Sequence, residues 1–128
     1  MPGYSTVGSN KLDAAMGFYD ELLGSIGMTK MFDHPSGGRL YSGKDGIFGV
    51  LGPYDGNPAT IGNGSMTGFP LDTREAVDDF HAKALALGGT DEGTPGLRGP
   101  SAFFAYCRDL DGNKLCAFNS TEPSKDPR

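Results

Sequence analysis

The sequence predicts an α+β domain made of two successive βαβββ modules, and three features of the chain lead there. Two segments carry helical periodicity, each with turn chemistry at both ends. The 21 glycines and nine prolines are scattered at intervals through the 128 residues, a spacing that suits many short strands joined by tight turns. A shift of 62 residues lays one half on the other: Ala14 falls on Ala76, Phe18 on Phe80, Leu23 on Leu85 and Gly27 on Gly89. Matched caps and matched element order make this an internal duplication.

In the first helix, Leu12, Ala15, Met16, Tyr19, Leu22, Leu23 and Ile26 recur at three- and four-residue steps and trace one apolar stripe. Asn10 with Asp13 has the spacing of a capping box, and Gly27 is placed to end the helix. The second helix starts from Asp72 and Glu75, again spaced as a box. It carries Ala76, Val77, Phe80, Ala84 and Leu87, and closes at Gly88-Gly89. Strands are expected at 4–8, 28–33, 39–42 and 47–51 around the first helix, and at 65–71, 90–94, 103–107 and 114–118 around the second. Asp109 to Asn113, with its Asp-Gly pair, supplies the hairpin between the last two. The modules are then about 4–52 and 64–119 within one domain spanning 1–120. The linker is 52–64, and the polar, proline-bracketed 121–128 is expected as a flexible tail.

Charge and composition remove several function classes. With 11 Lys+Arg against 16 Asp+Glu, a net charge of -5 and a pI near 4.8, nucleic-acid backbone binding is disfavoured. No apolar run is long enough to span a membrane, and no secretory signal is visible at the first residues. Two cysteines cannot build a disulfide scaffold, so a cytoplasmic setting is expected.

The order Phe18-Tyr19-Asp20, Leu22-Leu23, Gly62-Asn63-Gly64, Phe80-His81, Ala84-Leu85, Gly88-Gly89 and Arg108-Asp109-Leu110-Asp111-Gly112-Asn113-Lys114 resembles the vicinal oxygen chelate superfamily, which includes glyoxalase I, bleomycin-resistance proteins and extradiol dioxygenases. The likeness runs over about 4–119. It implies that the two modules form a cup-shaped, partly closed mixed sheet with the helices outside and a site within the cup. Metal-bearing members hold their ion there with four ligands, one from the first and one from the last strand of each module. Carried onto this chain, those positions are Tyr4, Met66 and Cys116, with the fourth near Gly49. None is His, Asp or Glu, the donors that a hard or borderline divalent ion requires.

The resemblance therefore implies a glyoxalase-related protein without a metal or other cofactor, binding a small organic molecule in the cup. The alternative is a metal-dependent glyoxalase-type lyase or isomerase. The chain has only two histidines. His81 reads as a helix-surface or helix-packing residue and His34 as part of a turn before Pro35. Strand alternation puts Lys114 and Phe118 on the same face as Cys116, with Phe104 and Tyr106 across the hairpin. Tyr4, Thr6 and Met66 come from the opening strands. Such a lining suits a flat or apolar molecule, or it fills the cup as plain core.

Cys107 has the opposite parity to Cys116, so a bond between them is not expected, and Cys116 lacks a base to activate it. In the loop expected at 93–100, Arg98 either reaches the cup mouth and clamps an anionic ligand or belongs to a flexible connection. Asp109 and Asp111 read as turn residues rather than an acid–base pair. Self-association as a homodimer is open, since related scaffolds pair modules between chains.

Overall fold

A computed structural model describes residues 3–120; the tail expected at 121–128 lies outside the described residues. The order β1 (Gly3–Gly8), α1 (Leu12–Gly24), β2 (Thr29–Asp33), β3 (Arg39–Gly43), β4 (Gly46–Leu51) is repeated by β5 (Thr67–Pro70), α2 (Arg74–Ala86), β6 (Thr90–Leu97), β7 (Phe103–Arg108), β8 (Lys114–Asn119). The two helices coincide residue for residue under the 62-residue shift. Each module makes its own four-stranded sheet, ordered β1-β4-β3-β2 and β5-β8-β7-β6. In both, the opening strand runs parallel to the last and the other pairs are antiparallel.

The two sheets are not hydrogen-bonded to each other, so the eight strands, one sheet per module, are not closed into a barrel. What joins the modules is side-chain packing. Tyr19, Phe48, Phe69 and Phe80 form a continuous aromatic column from α1 through β4 and β5 to α2, with neighbouring ring centroids 4.9, 5.5 and 5.5 Å apart. All four rings are buried, and each contributes roughly 1.5–3 kcal/mol by leaving water. Leu22, Leu23, Val77, Ala84, Ala105, Leu115 and Ala117 complete this core. The helix-facing sides of both sheets thus share one interior, and the opposite sides face away from it.

Two expected caps do not form. The N-cap of α1 is Lys11, with no side-chain bond, because Asn10 is engaged elsewhere. Its amide exchanges two hydrogen bonds with the backbone of Ala59 and pins the linker beside β1. The cap of α2 is Thr73, which accepts from the Ala76 amide, while Asp72 binds Lys44 across the modules. In both cases a long-range partner takes the side chain that local spacing assigned to the helix.

The hairpin turn at Asp109–Asn113 does more than reverse the chain. Buried Asp109 accepts from the Tyr19 hydroxyl at 2.5 Å, from the Asp111 and Asn113 backbone amides at 2.9 Å, and from the Asn113 side chain at 3.0 Å. Asn113 also donates to the Gly8 carbonyl, and Asp111 accepts from Ser9 Oγ at 2.6 Å and the Asn10 amide at 3.0 Å. A turn of the second module therefore grips the end of β1 and the start of α1. Burial, followed by the Asp109 carboxylate, raises the Tyr19 phenol well above its ordinary value, so it remains a donor.

Candidate functional site

The residues singled out from the sequence fall into three places. Phe104, Tyr106, Cys116 and Phe118 assemble on the helix-free face of the second sheet, as alternation requires: their neighbours Ala105, Cys107, Leu115 and Ala117 belong to the core. The Phe104 ring stacks on Phe118 with centroids 5.1 Å apart and planes at 13°, and on Tyr106 at 5.9 Å and 18°. Three near-parallel rings thus stand in one row, with Cys116 paired to Tyr106 across the ladder. Phe104, Tyr106 and Phe118 are half-buried, whereas Cys116 is buried.

Arg98 lies at the end of this row. The segment expected as a loop from Gly93 is strand as far as Leu97, because Gly93 and Gly96 pair with Tyr106 and Phe104 across two irregularities in the ladder. A side chain at Gly93 would place its Cβ 2.8 Å from the Tyr106 ring, and one at Gly96 would meet the Arg98 guanidinium at 2.9 Å. These two glycines leave the space in which ring and guanidinium lie. Arg98 donates to the Thr94 carbonyl at 2.9 Å and its guanidinium carbon stands 5.7 Å from the Tyr106 ring centre. Lys114 Nζ is 5.3 Å from the same ring. The glycine bed was not anticipated, although the spacing of Gly93 and Gly96 opposite two aromatics signals it.

Tyr4 and Met66 lie elsewhere. Both line a cleft of about 1000 Å³ between the modules, flanked by β1, β5, α2 and the Lys44–Asp72 ion pair. Both are largely exposed, 63% and 50%. Thr6 is on the first sheet opposite Gly49, and a Cβ at Gly49 would collide with Leu40 and approach Thr6. Gly49 and Cys116 hold equivalent register positions, opposite Thr6 and Gly68, two residues beyond Tyr4 and Met66. Gly68, whose added Cβ would stand 3.1 Å from the Cys116 thiol and 3.3 Å from the Phe118 ring, lines the same cleft as Tyr4 and Met66.

The donor set at the four positions carried over from the metal-bearing relatives does not fit a divalent ion. Glycine offers no side-chain ligand, a phenol and a thioether are poor ligands for hard or borderline cations, and burial raises the Cys116 thiol above its ordinary value. Among the described residues, no three His, Cys, Asp or Glu side chains stand together as a metal site. His81 is buried beneath α2 with Nε2 2.9 Å from Asp91, and His34 accepts from the Ser36 amide within its turn. The Gly93 amide and then His81 hold the Asp91 carboxyl below its usual range.

The thiols are equally quiet. Burial pushes Cys107 up to about 12, and both cysteines are free on opposite faces of adjacent strands. Neither thiol is expected to react with a disulfide reagent in the folded protein at mildly alkaline pH, and both are expected to react on addition of guanidinium; stoichiometric release from the native protein within seconds contradicts this.

The fold has close counterparts among solved structures. A glyoxalase/bleomycin resistance protein from Albidiferax ferrireducens T118 is 42% identical, with a TM-score of 0.82 over 91% of this chain and 96% of that one. The chain belongs to the glyoxalase/bleomycin resistance protein family. This places it in the vicinal oxygen chelate superfamily. Two more distant structures share the fold of this glyoxalase-family chain. A family enzyme from Burkholderia phytofirmans PsJN is 20% identical with a TM-score of 0.74, covering 91% of this chain and 96% of that one. A lactoylglutathione lyase from Agrobacterium tumefaciens is 18% identical with a TM-score of 0.70, covering 93% and 92%. No family model and no curated protein matches the chain. No helix among the described residues is long and apolar enough to cross a membrane.

Proposed function

We propose that this glyoxalase-family protein binds a small planar organic molecule without a divalent metal, on the helix-free face of its second module. The observation that carries the reading is the row Phe118–Phe104–Tyr106, three near-parallel rings left half-open on a face that the core does not use. Half-open aromatic rings of this kind recognise a flat ligand by ring–ring contact and by removal of apolar area from water. The substituted positions Tyr4, Gly49, Met66 and Cys116 support the metal-free half, since their chemistry suits no divalent ion. No observation favours the metal-dependent lyase or isomerase.

The reading includes a cytoplasmic setting, in which both thiols stay reduced, and a homodimer. The test is titration of the protein with 2-naphthamide in the presence of EDTA, followed by NMR of the aromatic side chains. Signals of Phe104, Tyr106 and Phe118 shift in a saturable way, and Phe104→Ala weakens binding about tenfold. Saturable binding that leaves those three rings unshifted, or that requires added zinc or nickel, overturns the proposal.

A further inference from the structure

Among the described residues, two cations stand beside the aromatic row without a carboxylate against them. The chain is acidic, and the cations Arg39, Lys44, Lys83 and Arg108 each stand against a carboxylate. Arg98 and Lys114 do not. Both instead face the Tyr106 ring, at 5.7 and 5.3 Å from its centre, with no ion pair among the described residues. Two like charges converging on one half-buried ring repel each other, and the π face offsets only part of that. Of the Arg98 guanidinium, Nη2 is committed to the Thr94 carbonyl; the Arg98 amide is fixed by the Ala102 carbonyl at 2.6 Å. The rest of the planar fork remains available for a carboxylate.

We infer that the ligand of this face is an aromatic carboxylate, its ring set against Phe104 and Phe118 and its carboxylate held at the Tyr106 end by Arg98 and Lys114. This rests on the binding reading above and adds the ligand's charge and orientation. The rings supply affinity for any flat molecule; the two cations select the anion and set which way round it lies. Gly93 and Gly96 leave the space in which the Arg98 guanidinium lies over the Tyr106 ring.

The experiment compares 2-naphthoate with its neutral isostere 2-naphthamide, in EDTA, against the unaltered protein and the Arg98→Gln/Lys114→Gln variant. The amide acts as the internal control, because it reads the aromatic row alone and reports that the variant is folded. The carboxylate binds about tenfold more tightly than the amide, the preference falls as salt is raised, and the double variant abolishes the preference, binding both ligands alike. Equal affinities for the two ligands, unaffected by the double variant, overturn the inference and leave the binding reading standing. Binding of neither ligand overturns both.

Discussion

Replacing Phe48 by alanine costs about 3–5 kcal/mol of unfolding free energy, read as a fall in the urea midpoint at unchanged slope. Phe48 is 2% exposed and sits between Tyr19 and Phe69, so its ring is the contact that carries the aromatic column from one module to the other. The two sheets exchange no backbone hydrogen bonds, and nothing in the ladders substitutes for the lost ring. A cavity opened there lies at the junction rather than inside either module. Since a domain of this size holds only about 5–15 kcal/mol in all, the variant is close to unfolding at physiological temperature. Tyr54→Ala is the control: that ring is fully exposed and its loss changes stability by less than about 0.5 kcal/mol. A Phe48→Ala cost below about 1 kcal/mol contradicts the account of how the modules are joined.

Asp109→Ala is expected to cost about as much, roughly 3–5 kcal/mol, by a different mechanism. One carboxylate accepts four hydrogen bonds in a buried setting, and its removal leaves the Tyr19 hydroxyl and the Asp111 and Asn113 amides without that acceptor. Each orphaned donor carries the desolvation penalty of an unmade bond, about 1–3 kcal/mol, partly relieved by water entering the turn. Tyr19→Phe, which removes the donor rather than the acceptor, costs only about 1 kcal/mol. The ordering Asp109→Ala well above Tyr19→Phe is the signature of a shared acceptor. Equal costs for the two variants would mean that the turn is held by its backbone alone.

Much of the fold was legible because local rules decided it. The stripes in 12–26 and 72–87 gave both helices, and the Asp-Gly turn gave the last hairpin. Once β7 and β8 were placed, alternation alone put Phe104, Tyr106, Cys116 and Phe118 on one face. The parts that were not legible depend on segments far apart in the chain. Asn10 and Asp72 have good capping spacing, yet Ala59 and Lys44 compete for them and win. Asp109 reads as a turn residue from its neighbours; its bond to Tyr19, 90 positions away, exists only after the modules dock. The cleft that Tyr4 and Met66 line follows from how two sheets sit side by side, and no periodicity encodes that. Arg98 was read as either an anion clamp or part of a flexible connection, and the glycine bed that positions it requires the register of β6 on β7.

The central claim is that a glyoxalase-family scaffold here binds its ligand without a divalent ion. It is tested most directly by calorimetric titration of EDTA-stripped, dialysed protein with zinc and with nickel at neutral pH. The account predicts no saturable heat from either ion, and the same 2-naphthamide affinity before and after the metal is added. One equivalent of zinc or nickel bound with a submicromolar Kd would contradict it.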